Sequence, residues 1–454
     1  MAEVLTPDIC VIGAGPGGLA VASAAAAFGV PVVLIEQNKM GGASLYAALP
    51  SKALLAAADR GEDFAGAQAD VARTVAAAAL QDSAERFAGL GVRVIKGHAA
   101  FKDRRTVTVG DTEIRARRFV IATGSLPAVP PIPGLEQSPY FTGETIYTLG
   151  ERPKHLIVIG AGPHGLKLAQ AFRRLGSEVT VLDAAQPLST SDPEAAAIVM
   201  TALERDGVVI RGGVKIAKAD CAVGAVTVTL DGGETIAATH LLVAAGRKAN
   251  TGGLNLEAAG IAFDGKGIAV NKKLKTKNGR VYAIGDVAAG QPRSAQAATY
   301  HAGLVIRNAL FRQSVRTDSD ALPSLIGTDP ELSQTGLSEA EARKRGLKIR
   351  ILRWPYHDND RAQAERETHG HIKVITTAKG KIVGVTIVGA QAGELISMWT
   401  LAIAQGLNIR AMSDVVMPYP TLSEIGKRAA VDYFMPRLTS AWLRRIIAWL
   451  RVFG

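Results

Sequence analysis

Apolar residues in this chain fall in short runs that break on glycine. Residues 8–12, Asp8-Ile9-Cys10-Val11-Ile12, form one such run, and it ends at Gly13-Ala14-Gly15-Pro16-Gly17-Gly18. A small-residue segment reaching Ala26 follows, and a second apolar run over 32–35 ends on Glu36. The pattern predicts strand, glycine turn, helix and strand. It recurs at 155–159, Gly160-Ala161-Gly162-Pro163-His164-Gly165, 166–175 and 179–182, ending on Asp183. Gly13 to Glu36 spans 23 positions, and so does Gly160 to Asp183. In such a unit the first glycine permits the tight turn, the second lets a pyrophosphate approach the backbone, and the third lets helix pack on strand. The helix N-terminus offers N–H groups and positive dipole to phosphate, and the terminal acid takes ribose hydroxyls. Gly13, Gly15, Gly18 and Glu36, and then Gly160, Gly162, Gly165 and Asp183, therefore predict two bound dinucleotides. An acid at Asp183 with no arginine close behind it favours NAD(H), because it would repel the extra phosphate of NADP(H).

The rest of the pattern frames these units. Residues 50–80 read as alanine-rich helix and 93–121 as short strands. Phe119-Val120-Ile121-Ala122-Thr123-Gly124-Ser125 ends in a glycine turn, and 127–133 is a stiff proline-rich connection. Residues 241–247 echo that strand and end on Gly246-Arg247, and 281–286 close on Gly285-Asp286. From about Asp320 the pattern changes to strands at 349–354, 372–375 and 382–388 with helices at 393–404 and 421–434, a separate α+β domain. The last stretch, 438–454, places Leu438, Trp442, Ile446, Trp449 and Phe453 at helical spacing, with Leu443, Ile447 and Leu450 widening the face and Arg444, Arg445 and Arg451 adding charge. It is too short and too charged to span a bilayer. Two readings stay open for it: a helix at a membrane surface, or a helix docked on the protein or on a second subunit.

Composition adds limits. A length of 454 residues suits about three domains. The net charge of +11 fits a solvated basic surface, an anionic ligand or an anionic membrane surface. No nucleic-acid motif accompanies it. The two cysteines, Cys10 and Cys221, read as small hydrophobes and suit a reducing compartment. No basic segment precedes the first apolar run, as a signal peptide would require. The expected location is cytoplasmic, with a peripheral position at the inner face of the membrane left open by 438–454.

With these pieces assembled, the chain resembles the pyridine nucleotide–disulfide oxidoreductase family over about residues 6–435. The resemblance rests on GAGPGG with Glu36, PSK at 50–52, ATGS at 122–125, GAGPHG with Asp183, AIGD at 283–286, DPELSQTGLSEAEAR at 329–343 and PTLSE at 420–424. Segments 358–362 and 388–395 look most like the dihydrolipoamide dehydrogenase and mercuric reductase branch. The resemblance implies an α/β fold of two Rossmann-like dinucleotide-binding domains, for FAD and NAD, plus a C-terminal α+β dimerisation domain. The FAD domain would cover 1–150 and 271–320, the NAD(P) domain 151–270, the dimerisation domain 321–437 and the amphipathic tail 438–454. FAD would touch Gly13, Gly15, Gly18, Glu36, Gly42, Lys52, Ala99, Thr123, Gly124, Gly285 and Asp286. The nicotinamide cofactor would touch Gly160, Gly162, Gly165, Asp183 and Gly246. A homodimer follows from the C-terminal domain.

The chain departs from the family where its chemistry sits. Family members carry GGTCxNxGCxPSK, whereas residues 41–52 here read GGASLYAALPSK, one residue shorter and without cysteine. Ser44 or Ala48 stands at a cysteine position, and neither can form a disulfide or a thiolate. The family's HPTxxE becomes Tyr419-Pro420-Thr421-Leu422-Ser423-Glu424; Tyr419 is a poor base but a candidate proton donor, and Glu424 would hold it or serve packing. The nicotinamide-gating tyrosine is replaced by Pro163, and the acid that pairs with the flavin-side lysine by Lys167. Lys52 keeps that lysine and would stabilise negative charge at the flavin edge. Two buried ammonium groups would be costly, so an anion, a shifted pKa or a Lys167 rotated to solvent is expected. His164 reads as an ordinary turn residue or a new gate. Lys52, Tyr419 and Glu424 are the candidate catalytic residues, and no metal site is expected.

Three functions follow. The first is an FAD-dependent NAD(P)H oxidoreductase that delivers electrons to a small-molecule, non-disulfide acceptor such as a quinone. The second is a weakly catalytic flavin- or NAD-binding scaffold or sensor. The third is a flavoenzyme with an anionic substrate in the former disulfide cleft, bounded by 43–48, Tyr46 and Tyr419.

Overall fold

The computed structural model describes residues 3–438 and 441–453, which pack as two compact units: 1–184 with 210–319, and 185–209 with 320–454. Each unit is built from its own sheets.

In the first unit, strands Val281–Ala283, Arg118–Ile121, Ile9–Ile12, Val32–Glu36 and Val92–Lys96 form one five-stranded parallel sheet in that order. These strands are apolar almost throughout because both faces are covered. Helices Pro16–Ala27 and Ala295–Ala309 cover one face, where Val11, Val21, Ala22, Ala302 and Val305 share a core. On the other face Ile12, Ile35 and Phe119 pack with Phe101, Val107 and Ile114 of a small four-stranded sheet. A second five-stranded sheet runs Phe141–Thr142, His240–Val243, His155–Ile159, Glu178–Asp183 and Val209–Gly212. A three-stranded antiparallel sheet, Ile216–Ala222 with Ala225–Leu230 and Thr235–Ala238, covers it. The ribbon Ser125–Pro127 with Arg247–Ala249 joins the chain segments that leave the two parallel sheets. Residues 50–80, expected as one helical stretch, are two helices, Leu49–Asp59 and Phe64–Ala79, separated by a turn at Gly61 and by the Asp63 cap.

The second unit centres on the antiparallel sheet Ser324–Ile326, Glu331–Gly336, Ile382–Gly389, His371–Thr377 and Ile349–Pro355. Helices Ala392–Ala404 and Glu424–Asp432 pack on it through Trp399, Ile396, Ile425 and Ala429. Residues 185–209, read in the sequence as part of the nicotinamide domain, pack in this unit. A buried ion cluster accounts for that difference. Lys373, 2% exposed, donates to Asp192 Oδ2 at 2.8 Å and to Glu194 Oε1 at 3.0 Å, and lies 3.2 Å from Glu339. Asp192 also caps helix Pro193–Arg205. Arg353 grips Glu194 with two hydrogen bonds of 2.8 and 2.7 Å. These bonds, Arg353 first and Lys373 after it, hold the Glu194 carboxyl down at about 2.

Helix Ala441–Leu450 and the turn Arg451–Phe453 bury none of their described residues. Trp442 is 71% exposed and Trp449 60%. These side chains stay exposed in the single chain, which corrects docking on the protein itself and leaves both the membrane surface and a second subunit open for 438–454. The side chains of Leu438 and Phe453, placed on the same face by their spacing, lie outside the described residues. No helix among the described residues is long and apolar enough to cross a membrane.

Candidate functional site

The first glycine turn is shaped as a phosphate cradle. Helix Pro16–Ala27 starts at Gly15 with proline at its first position, no side-chain cap and no acid in its first turn. Its leading N–H groups are thus left for a ligand, and its dipole favours an anion. A Cβ on Gly15 would stand in open space, whereas one on Gly18 would overlap the carbonyl oxygen of Gly13. The second glycine therefore leaves room for a cofactor and the third allows helix and turn to touch. Ala14 N–H donates to Glu36 Oε2 at 2.7 Å and Asn38 N–H to Oε1 at 2.9 Å. That fixes the carboxylate at the strand end with lone pairs to spare for ribose hydroxyls.

The second turn repeats this arrangement. Helix Pro163–Arg174 begins at uncapped Gly162, a Cβ there would again meet nothing, and a Cβ on Gly165 would overlap Gly160 O. Ala161 N–H donates to Asp183 Oδ2 at 2.6 Å. Both cradles fit a dinucleotide pyrophosphate with an adjoining ribose.

Residues 41–52 lie against the first cradle. Gly41 N–H donates to Ala14 O at 2.8 Å, and a Cβ on Gly42 would come within 3.1 Å of the Gly15 Cα. The stretch is helical from Ser44: a π-turn, Ser44–Ala48, runs directly into Leu49–Asp59. The physical reason is Pro50, which has no N–H to give; a wider turn absorbs the missing bond, and Leu49 N–H reaches Ser44 O. Tyr147 secures it by donating to Ala47 O at 3.1 Å. Tyr46 is half-buried, with Lys39 Nζ 5.5 Å from its ring centre; burial, and then Asp82, raise its pKa. Tyr147 was not found in the sequence, because the 100 positions to Ala47 leave no local signal.

Lys52 is exposed and Lys167 half-buried. Pro163 is exposed at the first position of its helix. His164 is packed rather than free in its turn. Its ring is wedged against Gly143, where a Cβ would overlap the imidazole. Burial first, and then the charge of Lys167, push its pKa down to about 4.

A polar chain links the two glycine-turn strands. Ser125 donates to Asp286 Oδ2 at 2.6 Å; Arg247 donates from Nε to Ser125 Oγ at 2.7 Å and from Nη2 to Glu144 Oε1 at 2.8 Å. Thr123 and Gly124 are tied to Asn250, through Thr123 Oγ1 to Asn250 O at 2.7 Å and Asn250 N–H to Gly124 O at 3.0 Å. Gly246 O accepts from Ala128 N–H. Asp286, Thr123, Gly124 and Gly246 are thus brought into one neighbourhood. The signal for Arg247 was its place after Gly246, equivalent to Ser125 after Gly124. Next to Asp286 in the chain, Gly285 N–H donates to His301 Nδ1 at 3.2 Å; His301 Nε2 is buried with no partner among the described residues, and burial pushes the imidazole pKa down to about 4. The Ala99 side chain is buried in the apolar core with Phe101.

Tyr419 and Glu424 belong to the second unit. Tyr419 is 71% exposed and donates to Asp360 Oδ2 at 2.9 Å. Asp360, rather than Glu424, holds the phenol and raises its pKa; Glu424 opens the helix Glu424–Asp432. Among the described residues no group of three His, Cys, Asp or Glu is placed to hold a metal ion.

The two depressed histidines have a consequence for stability. An unfolded chain protonates them near 6.5 and the folded chain near 4. Unfolded protein therefore binds more protons in that window, and stability falls as pH drops from about 6.5 towards 4. Thermal midpoints measured across this range should fall more steeply for the wild type than for His164→Gln with His301→Gln; parallel curves would contradict the assignment.

Comparison with known proteins completes the picture. Residues 7–302 match the family described as pyridine nucleotide-disulphide oxidoreductase, and residues 322–430 match that family's dimerisation domain, which supports a homodimer. Among similar proteins is a mercuric reductase of Lysinibacillus sphaericus, 33% identical across 94% of this chain and 82% of its own length. Another is a dihydrolipoyl dehydrogenase of Thermus scotoductus, 36% identical across 92% and 95%. A solved structure, the Cu(II) complex of the HOCl-induced flavoprotein disulfide reductase RclA from Escherichia coli, superposes with a TM-score of 0.88 at 28% identity, covering 94% of this chain and 99% of its own.

Proposed function

Because this chain belongs to the pyridine nucleotide–disulphide oxidoreductase family, whose members use FAD and NAD(P)H, we propose that it is an NAD(P)H oxidoreductase whose electrons leave the flavin for an acceptor that is not a disulfide. The observation that carries this reading is residues 41–52, which hold no cysteine and coil into a π-turn against the FAD cradle. FAD, when bound, supplies hydride acceptance and electron release.

The chain's own residues supply placement. Gly15, Gly42 and the open N-terminus of Pro16–Ala27 would hold the pyrophosphate, Glu36 the ribose, and Asp286, steadied by Ser125 and Arg247, the polar arm of the cofactor. Gly162, Gly165 and Asp183 would hold NADH in preference to NADPH, since Asp183 would repel a ribose phosphate. Lys52 would place positive charge near the flavin edge. Pro163, exposed at the first position of its helix, stands where the family's gating tyrosine would be. The relatives' names point to mercuric ion or a disulfide as acceptor, and both chemistries call on thiolates that residues 41–52 lack. The Cu(II) complex of the Escherichia coli neighbour raises a metal-ion acceptor, but the described residues offer no cluster of ligands for one. A quinone needs only access to the flavin and is the acceptor of choice.

Steady-state NADH oxidation by the purified homodimer tests this. Turnover is expected with a soluble quinone or a redox dye, and none above background with lipoamide, glutathione disulfide or mercuric ion. Turnover with a disulfide would overturn the proposal. Absence of turnover with every acceptor would favour the binding-scaffold alternative.

A further inference from the structure

We infer that the helix Ala441–Leu450 is a docking surface for an anionic lipid bilayer. At about 100° per residue, Trp442, Leu443, Ile446, Ile447, Trp449 and Leu450 fall on one face spanning roughly 160°. Trp442, Ile447, Trp449 and Leu450 are all exposed, as is Val452 in the turn that follows. Arg445 borders this face beside Trp449, Arg444 and Arg451 border it beside Ile447, and the remaining arc holds Ala441 and Ala448.

The borders decide the occupant. No acid occurs after Asp432, while Arg437, Arg444, Arg445 and Arg451 all do. A second copy seated on this face by two-fold symmetry would bring the same cations together, at a cost. A surface of anionic headgroups meets them with opposite charge along both edges. It lets the apolar arc sink to the acyl boundary and leaves the indole N–H groups among headgroups. Both demands, a flat apolar layer and a sheet of negative charge above it, are met by one partner. The inference stands apart from the electron acceptor, because lipid binding is read without turnover.

The test is sedimentation of the full FAD-bound protein with vesicles of phosphatidylcholine alone, or with phosphatidylglycerol in about equal amount. Binding to the mixed vesicles is expected, at least about tenfold weaker to phosphatidylcholine alone, with a blue shift of tryptophan emission. Arg444→Glu with Arg445→Glu is expected to lower binding at least about tenfold, and Trp442→Ala with Trp449→Ala to lower it comparably. Flavin content and thermal midpoint check that the variants are folded. The unaltered protein provides a second route, since raising salt to about 1 M should weaken binding by a similar factor. Three results would overturn the inference: no binding to the mixed vesicles, equal binding to both vesicle types, or a tryptophan variant that keeps vesicle binding while changing the oligomeric state in lipid-free solution.

Discussion

Gly162→Ala is expected to weaken reduction of the flavin by NADH by about a hundredfold or more at sub-saturating NADH while leaving the fold and the FAD content unchanged. A Cβ at Gly162 meets nothing in the structure, so the folded chain accepts it. The space it would fill is the one a pyrophosphate needs above the open helix N-terminus. Displacing that group loses about two charge-assisted hydrogen bonds, each worth roughly 1.5–3 kcal/mol, or about two to four factors of ten in NADH affinity. Stopped-flow bleaching against NADH concentration measures it, and dithionite should still reduce the flavin. Gly165→Ala is the contrast. Its Cβ would overlap Gly160 O, so it should lower thermal stability as well as NADH affinity. If Gly162→Ala also lost stability, or kept its affinity for NADH, the cradle would be misassigned. Gly15→Ala should behave in the same way towards FAD.

The second large effect lies away from the cofactors. Lys373→Met should lower the stability of the second unit by about 3–5 kcal/mol, on the order of 10 °C in thermal midpoint. Lys373 and the Asp192 side chain are 2% and 4% exposed. Removing the ammonium would leave a buried carboxylate with, among the described residues, only the N–H groups of Glu194 and Ala195, at 3.1 and 3.3 Å. Adding Asp192→Asn to Lys373→Met should recover part of the loss, because the uncompensated charge goes with it. Calorimetry of the three variants decides. A Lys373→Met protein as stable as the wild type would mean that this cluster does not hold 185–209 in place.

The parts of this molecule that could be read from the sequence are those whose cause is local. Each glycine turn follows its strand directly and reaches its helix and terminal acid within 23 positions, and the structure places all of them in the expected relation. The absence of sulfur from 41–52 was equally plain. The shape of that stretch was not. It depends on Pro50 breaking the bond ladder, and on Tyr147 arriving from 100 positions away. His164 sits in a readable turn, yet its burial is set by Gly143, on another segment. The Lys373 cluster was out of reach for the same reason. Its partner Asp192 is 181 positions distant, and a lone lysine in an apolar strand carries no mark of the carboxylates it will meet. The helix at 441–450 shows the reverse case. Its two-faced pattern was legible, and the structure added that Trp442, Ile447, Trp449 and Leu450 on its apolar side stay exposed.

On the proposed reading, the flavin works here without a redox disulfide. Anaerobic titration with NADH tests it most directly. FAD accepts two electrons, and a disulfide in contact with it would accept two more. One equivalent of NADH per bound FAD should complete the bleaching, with no long-wavelength band from a thiolate beside the flavin. A requirement for two equivalents would show a second electron store at the site and would contradict the account.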